Sequence, residues 1–215
     1  MQPAELIARF AFAAADADAR IRWSLRQAPV FDARLRVGPF TTLVGFLPPA
    51  FAATLAESVA ALPALAEHFR YPLAQLHVTV RNLDGVDLAG LPALLEGLQP
   101  IPFRADGFRF TRETLLLRVL PADPTLRCIR RRLDELPGMR RGWLPRRDLA
   151  FANVLRLNGP VAAELRRTVS QQRRALAGRR FDLDEPFLIR TDKVGSPTRT
   201  DVLDRYSLRR SADSP

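Results

Sequence analysis

Apolar positions at helical spacing open the chain: Leu6, Ile7, Phe10, Ala14, Ile21 and Leu25, bracketed by Pro3 and Pro29, predict an N-terminal helix over 3–27. The period then changes. Residues 40–47, rich in Thr, Val and Phe, predict a strand, and Pro48-Pro49 opens a helix over 50–62. A strand over 75–83 follows, then a helix over 86–98 weakened by Gly90 and Pro92. Residues 103–110 and 114–120 predict a hairpin, 124–136 a helix, 149–157 a strand and 161–176 a helix. The segments 181–183, 187–191 and 202–208 predict closing strands, and 137–147 a basic loop.

Within this pattern lies a repeat. A strand ending in Leu47-Pro48 leads through a helix to His77-Val78-Thr79-Val80-Arg81-Asn82-Leu83, whose first residue is 29 positions after Pro48. A second strand ending in Leu120-Pro121 leads through a helix to Phe151-Ala152-Asn153-Val154-Leu155-Arg156-Leu157, which begins 30 positions after Pro121. One β-α-β unit used twice accounts for both. The alignment pairs Val80 with Val154, Leu83 with Leu157 and Thr79 with Asn153. His77 alone meets a chemically opposite residue, Phe151.

Composition narrows the class. Of 215 residues, 47% are hydrophobic and 26% charged, which suits a globular protein with a filled core. One cysteine excludes an internal disulfide framework and a thiolate zinc cage, and two histidines, His68 and His77, are too few for a His-rich metal centre. The expectation is therefore no metal and no cofactor, in a reducing, cytoplasmic setting. Residues 50–66, the most apolar stretch, are broken by Glu57, Ser58 and Pro63, so no membrane span is expected. Cys128, beside Ile129 and Leu133, reads as a small core residue.

The net charge of +10 is unevenly placed. Residues 1–107 hold 9 arginines against 10 acidic residues, whereas residues 108–215 hold 24 basic residues against 13 acidic ones, a net +11. Two blocks dominate, one from Arg127 to Arg147 and one from Arg166 to Arg180. Codon bias exchanges Lys for Arg but creates no net charge, and clustered arginines attract phosphate-bearing polymers.

On a strand over 75–83, alternation points His77, Thr79 and Arg81 one way and Val78 and Val80 the other. An imidazole, a hydroxyl and a guanidinium in a row suit a phosphate: proton transfer near neutral pH, one oxygen contact and charge. A solvated polar face is the plainer alternative.

The string from Gln75 to Leu83 and the early strand Phe40-Thr41-Thr42-Leu43-Val44-Gly45-Phe46-Leu47-Pro48-Pro49 resemble the 2H phosphoesterase superfamily. So does the tail, in Arg190-Thr191-Asp192-Lys193, Ser196-Pro197, Arg199-Thr200 and Tyr206. The likeness is to its 2'-5' RNA ligase, or RNA 2',3'-cyclic phosphodiesterase, branch. It implies an α+β fold of two pseudo-symmetric β-α-β lobes with antiparallel sheets around a central cleft, one His-x-Thr/Ser motif per lobe, and no metal. In the implied reaction one His activates water, the other protonates the leaving ribose oxygen, and Thr or Ser holds the phosphoryl oxygens. The expected organisation is an N-terminal helical extension over 1–37 and a 2H-like domain over 38–211, with lobes over 38–112 and 113–211. A monomer is expected.

His77 and Thr79 match the first motif as catalytic residues. The second falls on Phe151-Ala152-Asn153, and Phe transfers no proton; His68 lies outside both motifs. Arg81, Phe151, Asn153 and Tyr206 are the candidate substrate-binding residues, Phe151 as a base-stacking face or cleft-filling core and Tyr206 as a lid or core aromatic. Three readings follow. The first is a protein that binds RNA ends or phosphorylated nucleotides with weak or lost turnover. The second is an active phosphodiesterase pairing His77 with a non-His partner such as an arginine. The third is a non-enzymatic adaptor docking nucleic acid or protein through the arginine-rich half.

Overall fold

The computed structural model describes residues 39–60, 69–70, 73–110, 114–139, 150–156, 163–172, 176–191 and 200–208. The expected N-terminal helix and most of the basic loop lie outside the described residues. The strands are β1 (Phe40–Phe46), β2 (Phe69–Arg70), β3 (His77–Asn82), β4 (Ile101–Phe110), β5 (Thr114–Pro121), β6 (Ala150–Arg156), β7 (Arg180–Leu183), β8 (Pro186–Thr191) and β9 (Asp201–Arg205). The helices are α1 (Pro49–Ala60), α2 (Leu91–Leu95), α3 (Thr125–Leu133) and α4 (Ala163–Gln172). Gly90 and Pro92 leave only five helical residues where the spacing predicts a helix over 86–98.

Among the described residues, all nine strands join one antiparallel sheet in the order β7-β4-β5-β6-β3-β1-β8-β9, with β2 added to β6. The order is a palindrome of the repeat: β5 and β6 flank the centre on one side as β1 and β3 do on the other. β3 and β6 meet at a pair formed by Val78 and Ala152, the residues the sequence alignment equates, so a pseudo-twofold axis passes between them. The two halves also share a defect. The register slips between Leu43 and Val44, leaving Val80 as an extra residue in β3, and between Leu115 and Leu116, leaving Val154 as an extra residue in β6. Equivalent residues thus form equivalent β-bulges.

The lobes are not consecutive stretches of chain. β4 pairs with β5 and β7 in the second half, and β8 and β9 pair onto β1 in the first. This exchange shapes the sheet. Six strand spacings separate β7 from β8, about 29 Å in a flat sheet, yet only Asp184 and Glu185 connect them. Three Cα steps reach about 11 Å at most. The sheet therefore curls until its flanks meet behind the core. Gly45 of β1 marks the meeting point, because a Cβ there would lie 2.5 Å from Leu183 Cδ1 of β7. Phe51 of α1 and Phe181 of β7 meet at a tilt with ring centroids 4.3 Å apart.

One face of the sheet carries the core. Leu43, Val78 and Val80 of the first unit and Leu115, Leu117, Ala152 and Val154 of the second join a single hydrophobic cluster. α1 covers it with Phe51, Ala52, Leu55 and Val59, and α3 with Leu126, Ile129 and Leu133. Cys128 corrects the sequence reading: it is exposed, because the inward face of α3 is set by residues 126, 129, 130 and 133. Among the described residues, no helix is long and apolar enough to cross a membrane.

Candidate active site on the open sheet face

Residues directly opposite in an antiparallel pair share a face. Val78 and Ala152 are both fully buried in the core, so their neighbours His77, Thr79, Phe151 and Asn153 all lie on the other face. Antiparallel register sets Asn153 across from His77 and Phe151 across from Thr79, with the equivalent residues on the diagonals. The sequence-predicted motifs are therefore brought together at the axis. Phe151 is 41% exposed, which removes it from the core.

His77 is oriented by the short turn that leads into its strand. Its Nδ1 lies 2.7 Å from the Gln75 carbonyl oxygen, which only accepts, so in the neutral ring Nδ1 carries the proton and Nε2 the lone pair. Phe46, opposite it on β1, meets the imidazole edge to face at 6.1 Å, and Phe187 meets Phe46 at 5.0 Å. An aromatic shelf thus backs the histidine.

Strand alternation fails at Arg81. The extra residue Val80 shifts the phase, so Arg81 stands opposite Leu43, a core residue, and leaves the face of His77 and Thr79. Its guanidinium reaches Asp134 at the C-terminal cap of α3, with Nη2 to Oδ1 at 2.6 Å. A carboxylate at a helix C-terminus meets the negative end of the helix dipole, and Arg81 offsets that charge. Arg81 still borders the site from behind. β3 and β6 diverge beyond Val78, opening a recess of about 250 Å³ lined by residues 79–82, Arg130, Ala150 and Phe151. That is less than the space that usually encloses a whole small ligand.

Arg130 of α3 lies behind this recess. It is buried, and its guanidinium donates to the carbonyls of Val80 at 2.7 Å and Thr79 at 2.9 Å. These acceptors lie where β3 has left β6, so the arginine substitutes for a missing strand. The sequence offers no signal for that role, since Arg130 sits among Arg127, Arg131 and Arg132 in a block that reads as surface charge. At the opposite end of the central pair the same gap is filled by β2, which bonds to β6 through Phe69 and Arg70.

Tyr206 is not brought to the central strand pair. It follows β9, three strands beyond β3, packs against the core, and bonds through its backbone N–H to Pro186. Burial first, then the bond to and charge of Asp204, pushes its phenol up to about 12. On the second-half side of the open face, Arg118 stands across from Phe151, and Asp106 engages both Arg118 (Nε, 2.6 Å) and Arg109 (3.5 Å). Among the described residues no group of three or more His, Cys, Asp or Glu side chains is placed to hold a metal ion.

No protein-family model matches the chain, and no curated protein matches it. Solved structures do. TT0787 of Thermus thermophilus has 19% identity and a TM-score of 0.53, covering 79% of this chain and 98% of its own. LigT of E. coli has 15% identity and a TM-score of 0.52, covering 81% of this chain and 100% of its own. A protein described as a phosphoesterase has 14% identity and a TM-score of 0.50, covering 80% of this chain and 99% of its own. Together with the doubled strand-helix-strand unit around a central strand pair, these likenesses show that the chain has the fold of the LigT-like 2H phosphoesterases.

Proposed function

We propose that the chain binds a phosphorylated ribonucleotide or RNA end on the open face around Val78 and Ala152, and that its hydrolysis of 2',3'-cyclic phosphates is weak or lost. One observation carries this reading: the residue related to His77 by the pseudo-twofold axis is the exposed Phe151. His77 is oriented to offer Nε2 as a base, and Thr79 supplies a hydroxyl two residues along the strand. No imidazole stands on the partner strand to return a proton to the leaving ribose oxygen. Phe151 instead offers an aromatic face to a base. LigT of E. coli has been crystallised with NADP+, with 3'-AMP and with phosphate, which supports a phosphorylated nucleotide as the ligand. The exposed thiol of Cys128 fits a reducing compartment.

The test is to titrate and turn over nucleoside 2',3'-cyclic monophosphates. Binding with slow or undetectable opening is expected, and His77→Ala abolishes any residual rate. Brisk hydrolysis by the wild type, lost in His77→Ala, would establish the active reading with a non-His partner. Absence of binding to both mononucleotide and RNA would leave an adaptor.

A further inference from the structure

We propose that the open face of β4 and β7 is a phosphate-binding track for single-stranded RNA, running outward from the central site with Arg104 and Arg180 as its charged contacts. The proposal rests on the reading of that site as one for an RNA end, and extends it to a preference for polymer over mononucleotide.

Arg104 and Arg180 are Cα partners across the β4–β7 pair. They alternate with Phe103, Ala105 and Phe181, all in the core, so both point from the same face as His77 and Phe151. Both are exposed. Like charges directly opposite destabilise a sheet, and the usual relief is an acid. Arg118 and Arg109 on this face have Asp106, and Arg205 at the far edge has Glu185. Arg104 and Arg180 make no ion pair or side-chain hydrogen bond among the described residues. A charge on an edge strand guards against edge-to-edge pairing. That explains Arg180 on β7 but not Arg104 facing it from the interior strand β4. A phosphate between two guanidiniums relieves the repulsion and uses both.

The spacing selects the ligand. β7 lies three strand spacings from β6, about 14 Å, beyond the reach of one nucleotide held at His77. Between the two positions stands Phe151, 41% exposed, as a stacking surface. An end held at the axis, a base on Phe151 and a downstream phosphate at Arg104 and Arg180 describe a single strand crossing the second half of the sheet.

Full-length protein is titrated with a labelled RNA decamer ending in a 2',3'-cyclic phosphate and, separately, with a nucleoside 2',3'-cyclic monophosphate. Arg104→Gln/Arg180→Gln should weaken decamer binding about tenfold and lower its log-log salt slope by about 0.7, the share of one phosphate on a single strand, leaving mononucleotide affinity unchanged. Arg166→Gln/Arg167→Gln removes equal charge from exposed positions of α4, which packs on the core side, and should weaken the decamer less. Arg104→Lys/Arg180→Lys should retain most affinity, which separates lost charge from a folding defect. Equal weakening by the two Gln pairs, or none by the first, overturns the track while the central site stands. If the mononucleotide and the decamer both fail to bind wild type, the reading of the site fails and the track with it.

Discussion

The two halves of the central strand pair differ least where they support the fold and most where they face solvent. Val78 and Ala152 meet at the axis, and Val80 and Val154 form matching bulges. On the open face His77 is answered by Phe151 and Thr79 by Asn153. The partner strands differ in a compensating way: Gly45 lies beside Val78, while the equivalent Leu117 lies beside Ala152 and is fully buried. Gly45 is small because Leu183 of β7 occupies the space above it. Packing constrains both halves to one design, whereas the chemistry of the exposed positions is free to diverge.

Four substitutions break or sharpen this contrast. The largest effect is expected at Arg130, which does for the end of β3 what β2 does for the end of β6. Arg130→Met leaves two carbonyls without their buried donor and should cost about 3 kcal/mol or more in denaturant unfolding. A neutral result would show that the diverging strand end needs no support.

Phe151→His gives the second half the imidazole of the first. It should raise 2',3'-cyclic phosphate hydrolysis by about 10²-fold or more, the scale of one positioned acid. An inert variant would mean that Asn153 or the surrounding shelf has diverged as well. Gly45→Ala should lose about 1–3 kcal/mol by overpacking against Leu183. The paired change Gly45→Ala/Leu183→Ala should cost less than the two single losses added, because each removes the other's conflict. The smallest effect is at Tyr206. Its phenol is held near 12 in the folded chain against about 10 unfolded, so the folded state binds the proton more tightly. Its contribution is complete below pH 10 and fades as pH rises toward 12. In alkaline denaturation, Tyr206→Phe should therefore flatten the decline over that window.

Most of this architecture was legible in the chain. The spacing from Leu-Pro to strand located both units, and hydrophobic alternation found the strands, because core positions obey local period. Alternation puts Arg81 on the wrong face for a definite reason: a bulge adds a residue without a sequence mark, and every side chain after it changes face. Arg130 was hidden because burial of a guanidinium depends on carbonyls fifty residues away. The exchange of strands between halves was equally invisible, since β4 and β8 look alike as isolated apolar runs. Tyr206 stands out in the sequence as an aromatic near the end of the last strand, but distance from the axis depends on strand order, which period does not encode.

The meeting of Val78 and Ala152 has a genetic consequence. Two separate copies of one half would associate about a true twofold axis, and every mutation would then appear on both sides at once. Such a pair cannot lose one imidazole and keep the other. Joining the copies in a single reading frame gives each strand its own codons, and a lone change at position 151 becomes possible without touching position 77. A site with one histidine on one side of its axis is a state open only to the fused form.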